Sequence, residues 1–144
     1  MGKDSLALAI RTFLNRQIKG NRGWYQDETQ AAYLGLAEEA QESLVQRITM
    51  KHEDSRFPVF WGPNFDWIPD QDHGGNLLKA LQAMMIQSAG DSILLMPAWP
   101  KDWDVDFRLH STNKTIVEGS FKNGTIDFQV DPPERKDFVK LMMN

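Results

Sequence analysis

The sequence predicts an α+β chain, helical up to about Gly90 and built of antiparallel strands beyond it. Three observations carry this. Apolar residues recur every three to four positions through the first part of the chain. From Ile93 onward they alternate with a period of two. Asn123-Gly124 then separates two alternating runs, as a two-residue hairpin turn does.

Leu6, Ile10, Phe13/Leu14 and Ile18 fall at helical spacing over residues 5–19, with Asp4 or Ser5 as N-cap and Gly20 as a stop. Gly20-Asn21-Arg22-Gly23 turns the chain. Asp27-Glu28-Thr29-Gln30 reads as a capping box, Asp27 accepting from backbone amides and Gln30 reaching back. It opens one helix to about residue 49, with a stripe of Tyr33, Ala37, Ala40, Leu44 and Ile48 widened by Leu34 and Val45. The short polar linker between the two helices suggests an antiparallel hairpin. On this reading Glu28, Glu38, Glu39, Glu42 and Glu53 are caps or solvated faces.

Periodicity disappears over residues 50–73, where Pro58, Pro63, Pro69 and Gly62 lie among aromatics; a long irregular stretch in a compact domain is usually functional. A third helix begins near Asn76, carries Leu77, Leu81, Met84/Met85 and Ser88 on one side, and stops at Gly90. Ile93–Met96 is a short apolar strand, and Pro97 to Pro100 a rigid link. Trp103–Leu109, Thr115–Phe121 and Ile126–Val130 follow as alternating strands, and Asp137–Met142 as an edge strand. The division expected is a helical segment over 1–90, with an aromatic loop at 50–75, and a β lobe over 91–144.

The 144 residues are 41% hydrophobic and 25% charged, an ordinary globular composition. The net charge is −4, with Lys and Arg scattered rather than striped, which speaks against nucleic acid as a partner. No apolar run approaches the roughly 20 residues of a bilayer span, and Met1-Gly2-Lys3-Asp4 is not the start of an apolar signal core. There is no cysteine, so disulfides and thiolate metal sites are excluded.

Chemistry concentrates between Trp61 and Gly75. Asp66, Asp70, Asp72 and His73 lie beside Trp61 and Trp67, ahead of a glycine pair that opens a helix. Carboxylates at a helix N-terminus meet its positive end and stay ionised, the state a general base needs. Three readings stand side by side. Asp70 or Asp72 caps the third helix; or Asp66, Asp70, Asp72 and His73 hold an oxygen-preferring ion, at a spacing unlike the calcium loop or a zinc helix; or a carboxylate there serves catalysis or sugar binding.

Three linked motifs resemble the end of the catalytic domain of glycoside hydrolase family 95, the α-L-fucosidase-like enzymes, and its uncharacterised bacterial relatives. They are Pro69-Asp70-Gln71-Asp72-His73-Gly74-Gly75, then Ala80 through Ser88, then Ile93-Leu94-Leu95-Met96-Pro97-Ala98-Trp99-Pro100. The family versions are Asp-Gly-Asn-Phe-Gly-Gly, a helix ending Gln-Ser, and Leu-Leu-Pro-Ala-Leu-Pro. The resemblance covers about a third of the chain. It implies the last helices of an (α/α)6 toroid followed by a small antiparallel β lobe. It also implies that Asp70 matches the general base of an inverting hydrolysis. Gln71, Asp72 and His73 replace the family's Gly, Asn and Phe, so fucose specificity does not carry over.

Inverting glycosidases hold two carboxyl groups about 6.5–9.5 Å apart across the scissile bond, and no segment here matches the family's acid or its assisting asparagines. The expectation is the C-terminal part of a glycoside hydrolase: Asp70 catalytic, Trp61, Trp67, Asp72 and His73 in contact with carbohydrate, and neither cofactor nor metal. The chain alone should be inactive and should pair as a homodimer through exposed helical faces. The alternative is a stand-alone carbohydrate- or protein-interaction module using Trp61, Trp67 or Trp99.

Overall fold

The computed structural model describes residues 2–20, 25–49 and 72–143, with the side chains of Asp72 and His73 left out. In chain order come α1 (Lys3–Asn15), α2 (Asp27–Tyr33), α3 (Ala37–Thr49) and α4 (Asp72–Met85). They are followed by β1 (Ile86–Ala89), β2 (Ser92–Leu95), β3 (Val105–Ser111), β4 (Thr115–Lys122) and β5 (Thr125–Asp131). A 3-10 helix (Pro133–Phe138) and β6 (Val139–Leu141) complete the chain. The α+β class is as expected, and its details differ in four places.

The helix expected from Asp27 to residue 49 is two helices. Gly35 adopts φ +74°. The Leu36 amide donates to Ala31 O and the Gly35 amide to Ala32 O, the pair of bonds by which a left-handed glycine closes a helix C-terminus. The apolar stripe continues across the break through Leu34, Ala37 and Ala40, so periodicity alone does not register it. Nor does Asp27 cap α2: Gln26 is the N-cap residue, without a side-chain cap bond.

The helix expected from Asn76 to Gly90 is displaced at both ends. α4 opens at Asp72, which puts Gly74 and Gly75 inside the helix rather than before it, and it gives way at Ile86 to β1. A helix end leaves carbonyls without intrahelical partners, and here they are met from outside. The Gln87 side-chain amide donates to Ala83 O at 2.8 Å, the Ala98 amide to Met84 O at 3.2 Å and the Met96 amide to Met85 O at 2.6 Å. Helix and strand are thus joined without an intervening loop, and the Met96–Ala98 connector is fixed against the helix end.

β1 and β2 form an antiparallel hairpin around Gly90 (φ +62°), and β6 adds to β2 in parallel, pairing Ile93 with Val139 and Leu95 with Leu141. The expected edge strand is therefore present, but this sheet, ordered β1-β2-β6, is mixed rather than wholly antiparallel. The second sheet, β3-β4-β5, is antiparallel throughout. Its last turn has both Asn123 (φ 52°) and Gly124 (φ 75°) left-handed, as a two-residue hairpin of type I′ requires.

One core serves helices and sheets. Ala31, Ala32, Ala40, Ala80 and Ala83 are buried where α2 packs on α3 and α4, their small side chains allowing close approach. Met84, Ile93, Leu95, Met96, Val117 and Phe121 continue the same cluster into both sheets.

Candidate functional site

Asp70, Trp61 and Trp67 lie outside the described residues. Asp72 and His73 are the first two residues of α4. Downstream of them, α4, the β1–β2 hairpin and the Met96–Pro100 connector form one uninterrupted unit, tied together at the Ala83, Met84 and Met85 carbonyls.

Trp99 is a core residue. It is 7% exposed, its ring meets that of Trp103 edge to face at 5.6 Å and 74°, and its indole N–H donates to Trp103 O at 2.8 Å. A sugar ring needs an open aromatic face to stack on, and Trp99 does not offer one. The same holds for the outer face of the β3-β4-β5 sheet, which carries Asp106, Arg108, Glu118 and Lys122 in exposed cross-strand ion pairs and no aromatic side chain among them.

The polar groups that do converge lie between α1, α2 and α3. The Asp27 carboxylate accepts from Arg16 at 2.5 Å and from the Gly20 amide at 2.7 Å. It therefore ties the end of α1 to the start of α2. Arg16 also donates to Phe13 O and lies over the Phe13 ring, its guanidinium carbon 3.7 Å from the centroid. These groups, with Lys19, Glu39 and Ser43, border a cleft of about 440 Å³.

Beneath it, Glu28 is fully buried, with Arg47 Nε 2.8 Å from one carboxylate oxygen and Ser43 Oγ 3.3 Å from the other. Arg47 also donates to Tyr25 O. Burial pushes the Glu28 carboxyl above the usual carboxylate range, and it outweighs the opposing pull of a backbone hydrogen bond, of Arg47 and of Ser43. A raised carboxyl is the form a general acid takes. This one has no solvent-reachable surface, so substrate cannot touch it, and its role is structural. The expectation that Glu28 is a cap or a solvated acid is corrected. A signal for this was present: Arg47 continues the buried stripe of Ala40 and Leu44 at helical spacing, and a cation in an apolar stripe requires a buried acid.

Among the described residues no group of three or more histidines and carboxylates is placed to hold a metal ion, and no helix is long and apolar enough to cross a membrane. No family model, no curated protein and no solved structure matches the chain.

Proposed function

We propose that the chain is the C-terminal part of an inverting glycoside hydrolase, acting on carbohydrate through Asp70 as general base, with the acid supplied from elsewhere in the enzyme. On this reading α1 to α4 are the last helices of the (α/α)6 toroid and the two sheets are the β lobe that follows it. One observation carries the reading. The three family-like motifs keep their order along one unit: residues 72–75 open α4, residues 80–88 are its second half with β1, and residues 93–100 are β2 with its connector. The last two motifs are also bonded to each other, the Ala98 and Met96 amides donating to Met84 O and Met85 O.

Asp70 lies two positions before Asp72, the first residue of α4. A carboxylate there benefits from the positive end of the helix, which favours the ionised form a base requires. Asp72 and His73, two and three residues further on, and Trp61 and Trp67 upstream are the side chains assigned to substrate contact. The module alternative draws no support from Trp99, whose ring is enclosed in the core.

The test is Asp70→Asn in the enzyme that contains this chain together with its upstream helices. Turnover should fall by about 10²–10⁴, the usual cost of losing a general base, with the thermal unfolding curve unchanged. Turnover retained by a folded Asp70→Asn enzyme would overturn the assignment. The chain on its own should hydrolyse no chromogenic glycoside. Robust hydrolysis that disappears with Asp70→Asn would show instead that the acid lies within it.

A further inference from the structure

Of the asparagines in the sequence, only Asn123 is followed by glycine. Both residues are exposed at the tip of the β4–β5 hairpin, in the left-handed turn closed by the pair Lys122–Thr125. A Cβ placed on Gly124 would meet nothing within 4 Å, so the main-chain nitrogen after Asn123 stands open. Asn113 is a natural contrast. It is also exposed and left-handed (φ 56°), but Lys114 follows it and its side-chain amide donates to Asp91 at 3.2 Å. The Asn123 main-chain amide donates to the Asp104 carboxylate, just ahead of β3, at 2.9 Å, and that bond is exposed. Exposed bonds at the end of a ladder open at little cost.

We propose that Asn123 is a site of spontaneous modification, at which loss of the side-chain amide leaves an isoaspartate that frees the hairpin tip from Asp104. The co-reactant is water. When the tip opens, the Gly124 nitrogen gives up its proton to base and attacks the side-chain carbonyl carbon of Asn123. A carbon–nitrogen bond forms, the bond to the side-chain nitrogen breaks, and that nitrogen leaves as ammonia with a proton from water. Water then opens the cyclic imide at either carbonyl, giving aspartate or isoaspartate. Nothing is oxidised or reduced. A side chain at 124 would crowd the attacking nitrogen with its Cβ, and glycine does not. In isoaspartate the Cβ of residue 123 belongs to the main chain, so the turn is one carbon longer. It then no longer has the left-handed pair of residues that matches the twist of the strands, and the Lys122–Thr125 closing pair is lost. Either product also carries a carboxylate on the residue whose amide Asp104 holds, and like charges so close repel. The inference goes beyond the glycosidase reading and does not rest on it.

The experiment incubates the full chain in mildly alkaline buffer and follows each asparagine by peptide mass spectrometry, with fragmentation that distinguishes isoaspartate from aspartate. Amide exchange is measured on the same samples. Asn123 should convert at least about tenfold faster than Asn113, because only Asn123 precedes a glycine. In the isoaspartyl fraction, exchange should rise over residues 122–126 and stay unchanged over β1 and β2. Asn123→Gly keeps a residue pair suited to the same turn and has no amide to lose, so its mass and its exchange should not change during the incubation. Should that variant fail to fold, the comparison of Asn123 with Asn113, and of modified with unmodified wild type, still decides. Conversion of Asn113 as fast as Asn123, or a tip as well protected in the isoaspartyl chain as in the unmodified one, would overturn the proposal.

Discussion

Arg47 Nε lies 2.8 Å from a carboxylate oxygen of Glu28, and neither side chain is more than 3% exposed, so the contact between α2 and α3 encloses a desolvated ion pair. The two ions depend on each other. Removing one partner of such a pair leaves the other charged and buried, at a cost of about 3–5 kcal/mol, whereas replacing both with apolar groups is often neutral or stabilising.

Arg47→Met should therefore destabilise the chain by about 3–5 kcal/mol at neutral pH, and Glu28→Leu/Arg47→Met should recover most of that loss. The pH dependence is specific. Burial raises the folded carboxyl above its unfolded value, so the folded state binds the proton first as pH falls. Its contribution favours folding fully below the unfolded value and is lost as pH rises through the folded one. Without Arg47 the folded value rises further, so the penalty of Arg47→Met should shrink between pH 7 and pH 5. Urea unfolding of wild type and variant at the two pH values measures this, and an equal loss at both would contradict the buried-pair account.

Asp27 holds the end of α1 through Arg16 and the Gly20 amide. Phe13 is the one buried residue of α1, so this carboxylate is a large part of its attachment. Asp27→Ala should cost about 1.5–3 kcal/mol for the lost charge-assisted bonds. Amide exchange should quicken across Lys3–Gly20 while α4 and β3 to β5 stay protected. Uniform loss of protection across the chain would mean that α1 and the core unfold together.

Gly119 sits between Phe107 of β3 and Phe128 of β5 in the ladder. A Cβ there would lie 2.3 Å from Asp127 O and 2.7 Å from Phe128 Cβ, and backbone cannot yield as a flexible side chain does. Gly119→Ala should destabilise by about 1–3 kcal/mol or more, as overpacking does. Gly124→Ala, strained only by its φ of 75° with nothing within 4 Å, should cost about 1–2 kcal/mol. Denaturation midpoints of the two variants rank them directly, and the reverse order would count against the close strand approach at Gly119.

Elements specified by local chemistry were legible in the sequence, and those specified by partners were not. The β4–β5 hairpin could be read because Asn123-Gly124 has one favoured turn between two alternating runs. β2 and β6 were legible as short apolar runs bounded by turn residues. The break at Gly35 escaped because Leu34, Ala37 and Ala40 keep the helical period on both sides of it. β1 escaped because Ile86, Gln87 and Ser88 extend the stripe of α4; they become a strand through pairing with β2, nonlocal information that a stripe does not contain. In the candidate site, the burial of Glu28 depends on Arg47, a helix away, and the role of Asp27 on Arg16 and Gly20. Asp70, Trp61 and Trp67 stand on their motif and their resemblance alone.

The chain should self-associate through its helices. Leu8 and Tyr33 are 65% and 59% exposed, and they border an apolar-floored groove of about 680 Å³ between α1 and α2, with Ala9, Phe13 and Leu34 beneath. Val45 and Ile48 of α3, both on the widened apolar stripe, are also open to solvent, at 37% and 44%. Contiguous exposed apolar surface beyond a few hundred Å² is rare on stable monomers, and two-fold pairing of identical faces is the simplest closure. Light scattering at micromolar concentration should give a dimer mass. Leu8→Glu/Tyr33→Glu should shift it to the monomer while the circular dichroism spectrum is unchanged, because both positions are exposed and outside the core. A clean monomer mass for the unaltered chain, with no binding of a hydrophobic dye, would show that the groove needs no cover and that these helical faces are not an interface.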